Sequence, residues 1–373
     1  MHCLVAIGFI SIGMAGWIGI RKRGHLLLSK SSLGDFIVII KKPRGKTKMK
    51  KKALSAALAA AFVLTTAGTV FANGVEFNGG ISYQFRHNTS DTADDASGGR
   101  FNFILNGTAP EVSKNIDLYF RIAGQRTNGI DGWRDFEVSD DSSTDTSVFA
   151  LDQFGFNYKN AGWNYKVGRQ TSFIGATGIL YDDTAAFGKH IFGDGITITG
   201  QTGAVDVKLS AVEFDFLNGA NPKLYSAAAS YKANKDLTVG GTFARETGIG
   251  DDLNIWAVNA GYNINDKLNI YGEYAKSNAD AYDKAYAFGG SYNVDNKNTL
   301  WAVYSRVEAG TSFYSQPTTN QSSTFDAGGK GMYYGLDHKF DKTTSLSFFY
   351  KDMTNIEKGT DYTSFRTTVS YKF

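Results

Sequence analysis

The chain has 373 residues, with 39 Lys and Arg, 36 Asp and Glu, and one cysteine. Twelve of the basic residues but only one acid, Asp35, precede residue 73, which leaves 27 basic and 35 acidic residues and a formal charge of −8 from Asn73 onward. This acidic charge argues against nucleic acid as a partner. Because the one cysteine is Cys3, the same region has no disulfide framework or thiolate metal site.

The N-terminal region reads as a processed leader. Met49 begins a basic stretch, Ala53 to Ala67 form a short apolar core, and Val70-Phe71-Ala72 ends on a small residue. These are the three parts of a secretory signal. We therefore predict a signal peptide over 49–72, cleaved after Ala72, and a mature protein over 73–373.

A second apolar run lies upstream, from Cys3 to Ile20. It is long enough for a marginal transmembrane helix. A signal anchor there would make the complete signal behind it redundant, so we interpret residues 1–48 as an extension ahead of a native start at Met49.

From Val75 onward the chain alternates apolar and polar residues in short segments, as membrane-spanning strands of a β-barrel do. Phe101 and Phe103 alternate with Arg100 and Asn102, and the segment around Arg121 repeats the pattern. A one-residue slip would place these arginines in lipid, so the parity predicts the register of the strands.

The connectors between these segments alternate in length. Tight turns are predicted at Lys159 to Gly162, Ala233 to Asp236, Asn265 to Lys267, Asp295 to Asn298 and Phe340 to Thr343, and longer loops at Asn88 to Gly99, Asn128 to Thr146, Ser277 to Asp283 and Ala309 to Gly329. Short turns at one end and long loops at the other are typical of outer-membrane barrels. We predict an all-β fold, a transmembrane antiparallel β-barrel of about 16 strands. Blurred parity at Gly195 to Gln201 and Asn298 to Val307 leaves 14 or 18 open.

Aromatic residues mark the ends of the predicted strands. An interfacial girdle explains them, and simple β-propensity explains them as well. The residues are Tyr158, Trp163, Tyr262, Trp301, Tyr371 and Phe373. The last segment, Phe365 to Phe373, places an apolar or aromatic residue at every second position; a soluble amphipathic strand would also do so, but the repetition along the chain favours the barrel.

One long connector differs from the others. Thr171 to Gly195 contains many apolar residues, too many for a loop in water, so we expect it to pack against the inner wall. A strand that ends in Val167-Gly168-Arg169, followed by a long loop that closes on Phe192-Gly193-Asp194-Gly195, resembles the fifth strand and third loop of the Gram-negative general porins.

This resemblance implies a trimeric 16-stranded barrel in the bacterial outer membrane, with a third loop that folds inward and narrows the pore. It implies acidic residues on that loop, for which Asp182, Asp183 and Asp194 are the candidates. It also implies a facing ladder of basic residues, and Arg169 matches the arginine that follows the glycine. Strict parity from Tyr165 and Val167 would nevertheless turn Arg169 outward.

Three further arginines, Arg86, Arg100 and Arg121, have lumen parity and are the candidate basic wall. Opposite charges across a narrow aqueous gap would produce a transverse field that orients polar solutes. The simpler interpretation is that these charges only solvate a polar lumen.

The function expected is a porin: passive diffusion of ions and small hydrophilic solutes, with no cofactor, in contact with outer-membrane lipid and lipopolysaccharide, as a likely homotrimer by family resemblance. The alternative is a substrate-specific channel of the same fold. Tyr181, Phe187 and Phe192 would supply stacking for a solute in that case, although packing against the wall explains them as well.

Two other classes were weighed. An enzyme is disfavoured because the three histidines after Ala72, His87, His190 and His338, fit neither a His-x-x-x-His pattern nor a serine elbow. A barrel that only anchors the membrane would usually need an additional periplasmic module, and the predicted mature start leaves no room for one.

Overall fold

The computed structural model describes residues 74–128, 146–188, 191–215, 221–315 and 325–373. The predicted signal peptide (49–72) and extension (1–48) lie outside these residues and remain predictions. The centre of the predicted loop after Asn128 and His190 also lie outside them.

Strands dominate the described part of the chain. They are β1 (Glu76–Ser90), β2 (Ala93–Ser113), β3 (Ile116–Asn128), β4 (Thr146–Asn160), β5 (Trp163–Gln170), β6 (Phe173–Ile174), β7 (Tyr181–Asp182), β8 (Gly193–Thr202), β9 (Val205–Glu213), β10 (Lys223–Lys232), β11 (Leu237–Thr247), β12 (Leu253–Asn263), β13 (Leu268–Ser277), β14 (Lys284–Asn293), β15 (Asn298–Val307), β16 (Gly329–Lys339), β17 (Thr344–Asn355) and β18 (Asp361–Lys372), with a short 3-10 helix at Ala309–Thr311. No helix among the described residues is long and apolar enough to cross a membrane.

Sixteen of the described strands form one closed antiparallel barrel, in which neighbours along the chain are neighbours in the sheet. The two-residue strands β6 and β7 pair with each other outside the barrel sheet. The predicted all-β barrel of about 16 strands is therefore confirmed, and the two segments of blurred parity are the barrel strands β8 and β15.

The barrel closes between β1 and β18. Ile81 pairs with Tyr371 and Arg86 with Arg366. Gly79 and Phe373 exchange two backbone hydrogen bonds, from Gly79 N to Phe373 O at 2.9 Å and from Phe373 N to Gly79 O at 3.1 Å. Closure of this kind satisfies the backbone groups that an open edge strand would expose.

The two faces of the wall differ as the alternation predicts. One face, here called the apolar face, carries exposed large side chains such as Phe101, Phe154 and Trp256. The other, here called the polar face, carries Arg100 and Arg121, both nearly buried. Since successive residues of a strand point to opposite faces, one sequence parity produces both surfaces.

Asx turns close four of the tight connections. The side chains of Asn234, Asn265, Asp295 and Asp341 each accept hydrogen bonds from backbone N–H groups two and three residues later. This local bonding is why Asn and Asp recur in these turns.

One connector differs from the prediction. The expected loop from Asn88 to Gly99 is instead a continuation of β1 and β2 up to a turn at Asp91 and Thr92. His87 pairs with Ser97 there, and their side chains lie 2.7 Å apart. Cross-strand pairing therefore outweighs a composition rich in turn residues.

Candidate functional site

The apolar connector between β5 and β8, residues 171–192, is here called the bridging segment. Its described part contains the β6–β7 hairpin and several side chains with almost no exposure, among them Ile179, Leu180 and Phe192. Ile179 and Leu180 belong to one apolar cluster with residues of strands β9 to β17, including Val212, Leu224 and Ile255. The segment therefore packs as a core element, in agreement with its composition.

One end of the bridging segment is anchored to β3 and β4 through Arg121. Its guanidinium donates to both carboxylate oxygens of Asp152, at 2.8 and 2.7 Å, and to the Ala186 carbonyl at 2.9 Å. The Asp152 carboxylate also accepts the Gly188 N–H at 3.2 Å, and Arg121 lies 4.7 Å from the ring centre of Phe192. Asp152 is fully buried, so this ion pair joins the segment to the wall away from solvent.

A bulge in β4 brings Asp152 to this position. The β3–β4 register passes from Arg121↔Gln153 to Ile122↔Leu151 and leaves Asp152 without a paired residue. A bulge of this kind re-aims a side chain at the price of one unpaired residue. Asp152 was not among the predicted site residues.

The other anchor of the bridging segment is Glu273 on β13. Its carboxylate accepts the N–H groups of Ala176 and Thr177, the latter at 2.8 Å, and the Thr177 hydroxyl at 2.6 Å. Gly175 approaches so closely that a Cβ there would lie 2.5 Å from the carboxylate, and its φ is +87°. β13 is the sixth strand from β5 in the barrel order, so the segment links distant parts of the wall.

The predicted acidic residues Asp182 and Asp183 lie together on the bridging segment, and both are buried. Asp182 accepts the N–H and hydroxyl of Thr184, at 2.9 and 2.6 Å. Asp183 accepts the Ser172 N–H at 2.7 Å and the Tyr181 hydroxyl at 3.3 Å. Burial raises the pKa of Asp183 well above its ordinary value, and the neighbouring Asp182 charge adds to the rise.

The third predicted acid, Asp194, lies elsewhere and forms an ion pair with Arg169. The Arg169 guanidinium donates to both Asp194 oxygens, at 3.0 and 2.5 Å. The two residues are cross-strand partners, and Arg169 also pairs with Phe154, a residue of the apolar face. Asp194 is half exposed, and the pair is not in contact with Asp182 or Asp183 in the described structure. The parity of Tyr165 and Val167 thus describes Arg169 better than its place in the motif does.

Arg86 and Arg100 lie on the polar face of β1 and β2 and share the Gln84 side chain, which accepts from them at 3.4 and 2.9 Å. A third arginine, Arg366 on β18, is the cross-strand partner of Arg86. Lys351 on β17 forms a buried ion pair with Asp326. We call Arg86, Arg100, Lys351 and Arg366 the basic cluster; the prediction contained two of its four members.

The connector between β15 and β16 is a feature that the sequence analysis missed, because it was predicted to be an ordinary external loop. Its described residues Phe313 and Phe325 are almost fully buried and belong to the same apolar cluster as the bridging segment. Glu246 on β11 accepts the N–H groups of Tyr314 and Ser315, at 2.6 and 2.9 Å. The aromatic residues within this connector were the available signal.

Trp301 also lies elsewhere than predicted. It was expected in an interfacial girdle, but its indole N–H donates to Asp337 at 3.1 Å, and its ring lies over Gly335, where a Cβ would come within 1.9 Å. It contacts Phe349 with ring centres 6.0 Å apart, and Phe349 lies under the Arg366 guanidinium at 4.7 Å. Trp301 therefore belongs to the polar face, beside the basic cluster.

The three aromatic residues suggested for solute stacking, Tyr181, Phe187 and Phe192, are all buried in the described structure. Packing is their observed role. A cavity of about 640 Å³ lies next to the bridging segment; its lining includes Ala176, Asn164, Thr199, Lys208, Ser230 and Asn259. Within the described ranges, no group of three or more His, Cys, Asp or Glu side chains is arranged to hold a metal ion.

Comparisons with known proteins place the fold. A mutant of the Rhodopseudomonas blastica porin with five substitutions is 15% identical, with a TM-score of 0.52 over 80% of this chain and 100% of that one. A second mutant of that porin is 16% identical with the same coverage and TM-score. A further structure with these values of coverage and TM-score, 15% identical, is named "Asymmetric conductivity of engineered proteins". No protein-family model matches the chain, and no curated protein sequence matches it. The resemblance to porins is thus confirmed at the level of the fold.

Proposed function

We propose that this chain forms a porin-type channel of the bacterial outer membrane, through which ions and small hydrophilic solutes diffuse passively. The observation that carries the proposal is a closed 16-stranded wall with one exposed apolar face and one charged face. Lipid suits the first face and water the second, and a barrel of this strand number encloses more space than its own wall side chains fill.

We propose that the bridging segment is the inward-folded third loop. The support is its pair of anchors, at Asp152 on β4 and Glu273 on β13. Both anchors belong to the polar face, and in a closed barrel a single segment reaches both through the interior. The segment then narrows the passage and leaves the remaining opening along the basic cluster.

Within that opening we assign different roles to the predicted charges. Asp182 faces the role of the acidic side, whereas Asp183, with its raised pKa, contributes less negative charge. Arg86 and Arg100 form the basic side. Arg121 acts as an anchor, and Arg169 and Asp194 neutralise each other. The transverse field is therefore produced chiefly by the basic wall.

The proposal includes a homotrimer, contact with outer-membrane lipid and lipopolysaccharide, and neither a cofactor nor catalysis. The support for the trimer and the membrane is the similarity in fold to porins. The His87–Ser97 contact is exposed and carries no orienting acid among its described partners, which supports a structural role for it.

The test is single-channel recording of the purified protein in planar bilayers. We expect water-filled conductance steps in groups of three, with a conductance linear in salt concentration. A folded barrel that inserts without any conductance would contradict the channel. Single steps would contradict the trimer alone.

A substrate-specific channel of the same fold is the second candidate, and one observation favours it. Trp301 and Phe349 lie on the polar face next to Arg366, which places aromatic rings and positive charge side by side. A saturable conductance would distinguish this candidate from a general porin.

A further inference from the structure

A single row of cross-strand partners connects the aromatic residues to the arginines. Trp301 pairs with Gly335, Gly335 with Phe349, Phe349 with Arg366, and Arg366 with Arg86. Cross-strand partners point to the same face of a sheet. The row therefore runs along the polar face from a tryptophan, across a glycine and a phenylalanine, to two arginines.

Gly335 determines how Trp301 lies on the wall. The position of a Cβ at residue 335 would be 1.9 Å from the indole ring, so only glycine lets the ring lie flat against the strand. Asp337 holds the indole N–H at 3.1 Å and fixes its rotation. One face of the ring is therefore used against the wall, and the side chain as a whole remains partly exposed.

The other end of the row has an excess of positive charge. The basic cluster contains four cations, and among the described residues Asp326 is the one carboxylate that forms an ion pair with it. Tyr362 also donates to Asp326, at 2.8 Å, so this carboxylate is shared between two donors. Arg86 and Arg100 are nearly buried and act through their charge, whereas Arg366 is partly exposed and within reach of a solute.

We propose that this row is a binding subsite for small aromatic carboxylates. The ring of the solute stacks on Trp301 and Phe349, and its carboxylate accepts hydrogen bonds from Arg366, with Arg86 and Arg100 adding positive charge behind it. Aromatic stacking and a charge-assisted hydrogen bond to arginine supply the two parts of this recognition. The subsite rests on the proposed channel, because the polar face must be open to solutes.

Fluorescence quenching tests the subsite directly and without conduction. We would titrate the folded protein with 4-nitrobenzoate, whose ring quenches an indole on which it stacks. We expect a saturable quenching component that is lost in Trp301→Phe and retained in Trp256→Phe, since Trp256 lies on the apolar face. Arg366→Gln should raise the half-saturating concentration about tenfold, whereas Arg245→Gln, on the apolar face, should not change it.

Three results would overturn the subsite. The first is equal saturation by uncharged 4-nitrobenzyl alcohol. The second is loss of the saturable component in Trp256→Phe rather than Trp301→Phe, which would indicate partition into detergent. The third is the absence of a saturable component in the unsubstituted protein.

A second measurement uses no variant and therefore does not depend on the folding of a substituted chain. Benzoate added at constant ionic strength should reduce the channel current with saturation, and acetate should not. A linear conductance that ignores benzoate, together with no saturable quenching, would remove the subsite and leave the channel. Saturable quenching without any conductance would remove the channel and leave the site.

Discussion

The two halves of the polar face differ in what covers them. From β9 to β16 the wall carries small or apolar side chains, such as Ala257, Ala275 and Val303, and the bridging segment and the β15–β16 connector pack on them. Over β17, β18, β1 and β2 the same face carries the basic cluster instead. Both halves have the same alternation, so parity alone does not distinguish them.

The difference shows how a wide barrel is narrowed from one side. Small residues such as Ala244 and Ala285 leave the depth that a packed segment needs, and close packing of that segment excludes water from its half. Charge is retained where nothing apolar packs. We therefore expect the packed half to govern the width of the passage and the basic half to govern its selectivity.

The strongest way to break this comparison is to release the bridging segment at Asp152. Asp152→Asn removes the carboxylate that neutralises buried Arg121, and breaking a buried ion pair costs roughly 3–5 kcal/mol. We expect a larger conductance and faster hydrogen exchange in residues 184–188. Asp252→Asn, in an exposed pair with Arg245, is the matched control, with an expected cost below about 1 kcal/mol. Equal conductance in both variants would contradict the anchor.

The next effect is expected at the opposite anchor. Glu273→Gln keeps an acceptor oxygen but removes the charge that the Ala176 and Thr177 N–H groups bind, a loss of about 2 kcal/mol. Hydrogen exchange should increase around residues 175–177 more than around 184–188. Glu213→Gln is the control, because that carboxylate is about half exposed on the apolar face. A uniform increase along the whole segment would show that the two anchors do not act separately.

Acidity should also change the packed half. Because burial raises the pKa of Asp183 in the folded protein, its neutral form favours packing of the segment. The stabilisation is complete below the unfolded pKa and is lost as the pH rises through the folded one. We expect the conductance to rise with pH over this range, and to rise less in Asp183→Asn, which still accepts the Ser172 N–H. Identical pH profiles would refute a contribution from Asp183.

The smallest effect is expected at Arg169. Its ion pair with Asp194 lies in the row of Phe154 and is half exposed on the carboxylate side, so Arg169→Gln should cost less than about 1 kcal/mol. Ion selectivity should stay unchanged, whereas Arg366→Gln should reduce the preference for anions. A change in selectivity in Arg169→Gln would return this pair to the pore.

The sequence predicts the wall well because alternation is a local property. The parity of Phe101 against Arg100, the Asx turns and the strand number all follow from neighbours along the chain. The bulge at Asp152 was readable too. The exposed apolar parity changes from Phe149 and Leu151 to Phe154 and Phe156, which indicates one inserted residue.

The contacts of the connectors were not predictable in the same way. Glu273 binds residues about a hundred positions earlier, and Arg121 binds a carbonyl of the bridging segment. Such partners depend on which distant strands the closed barrel brings within reach, and no local pattern encodes that. The motif around Gly168 therefore identified the segment correctly but did not identify its partners.

The pairing of β1 with β18 has a consequence for the order of folding. Every other barrel contact joins strands that are close in the chain, whereas this one joins Gly79 to Phe373. Closing so long a loop is entropically costly and slow, so the hairpins are expected to form early and the seam last. Until the seam closes, β1 and β18 are two open edges that can pair with another chain. Assembly at low protein concentration, or with a factor that shields these edges, should therefore raise the yield of closed barrels.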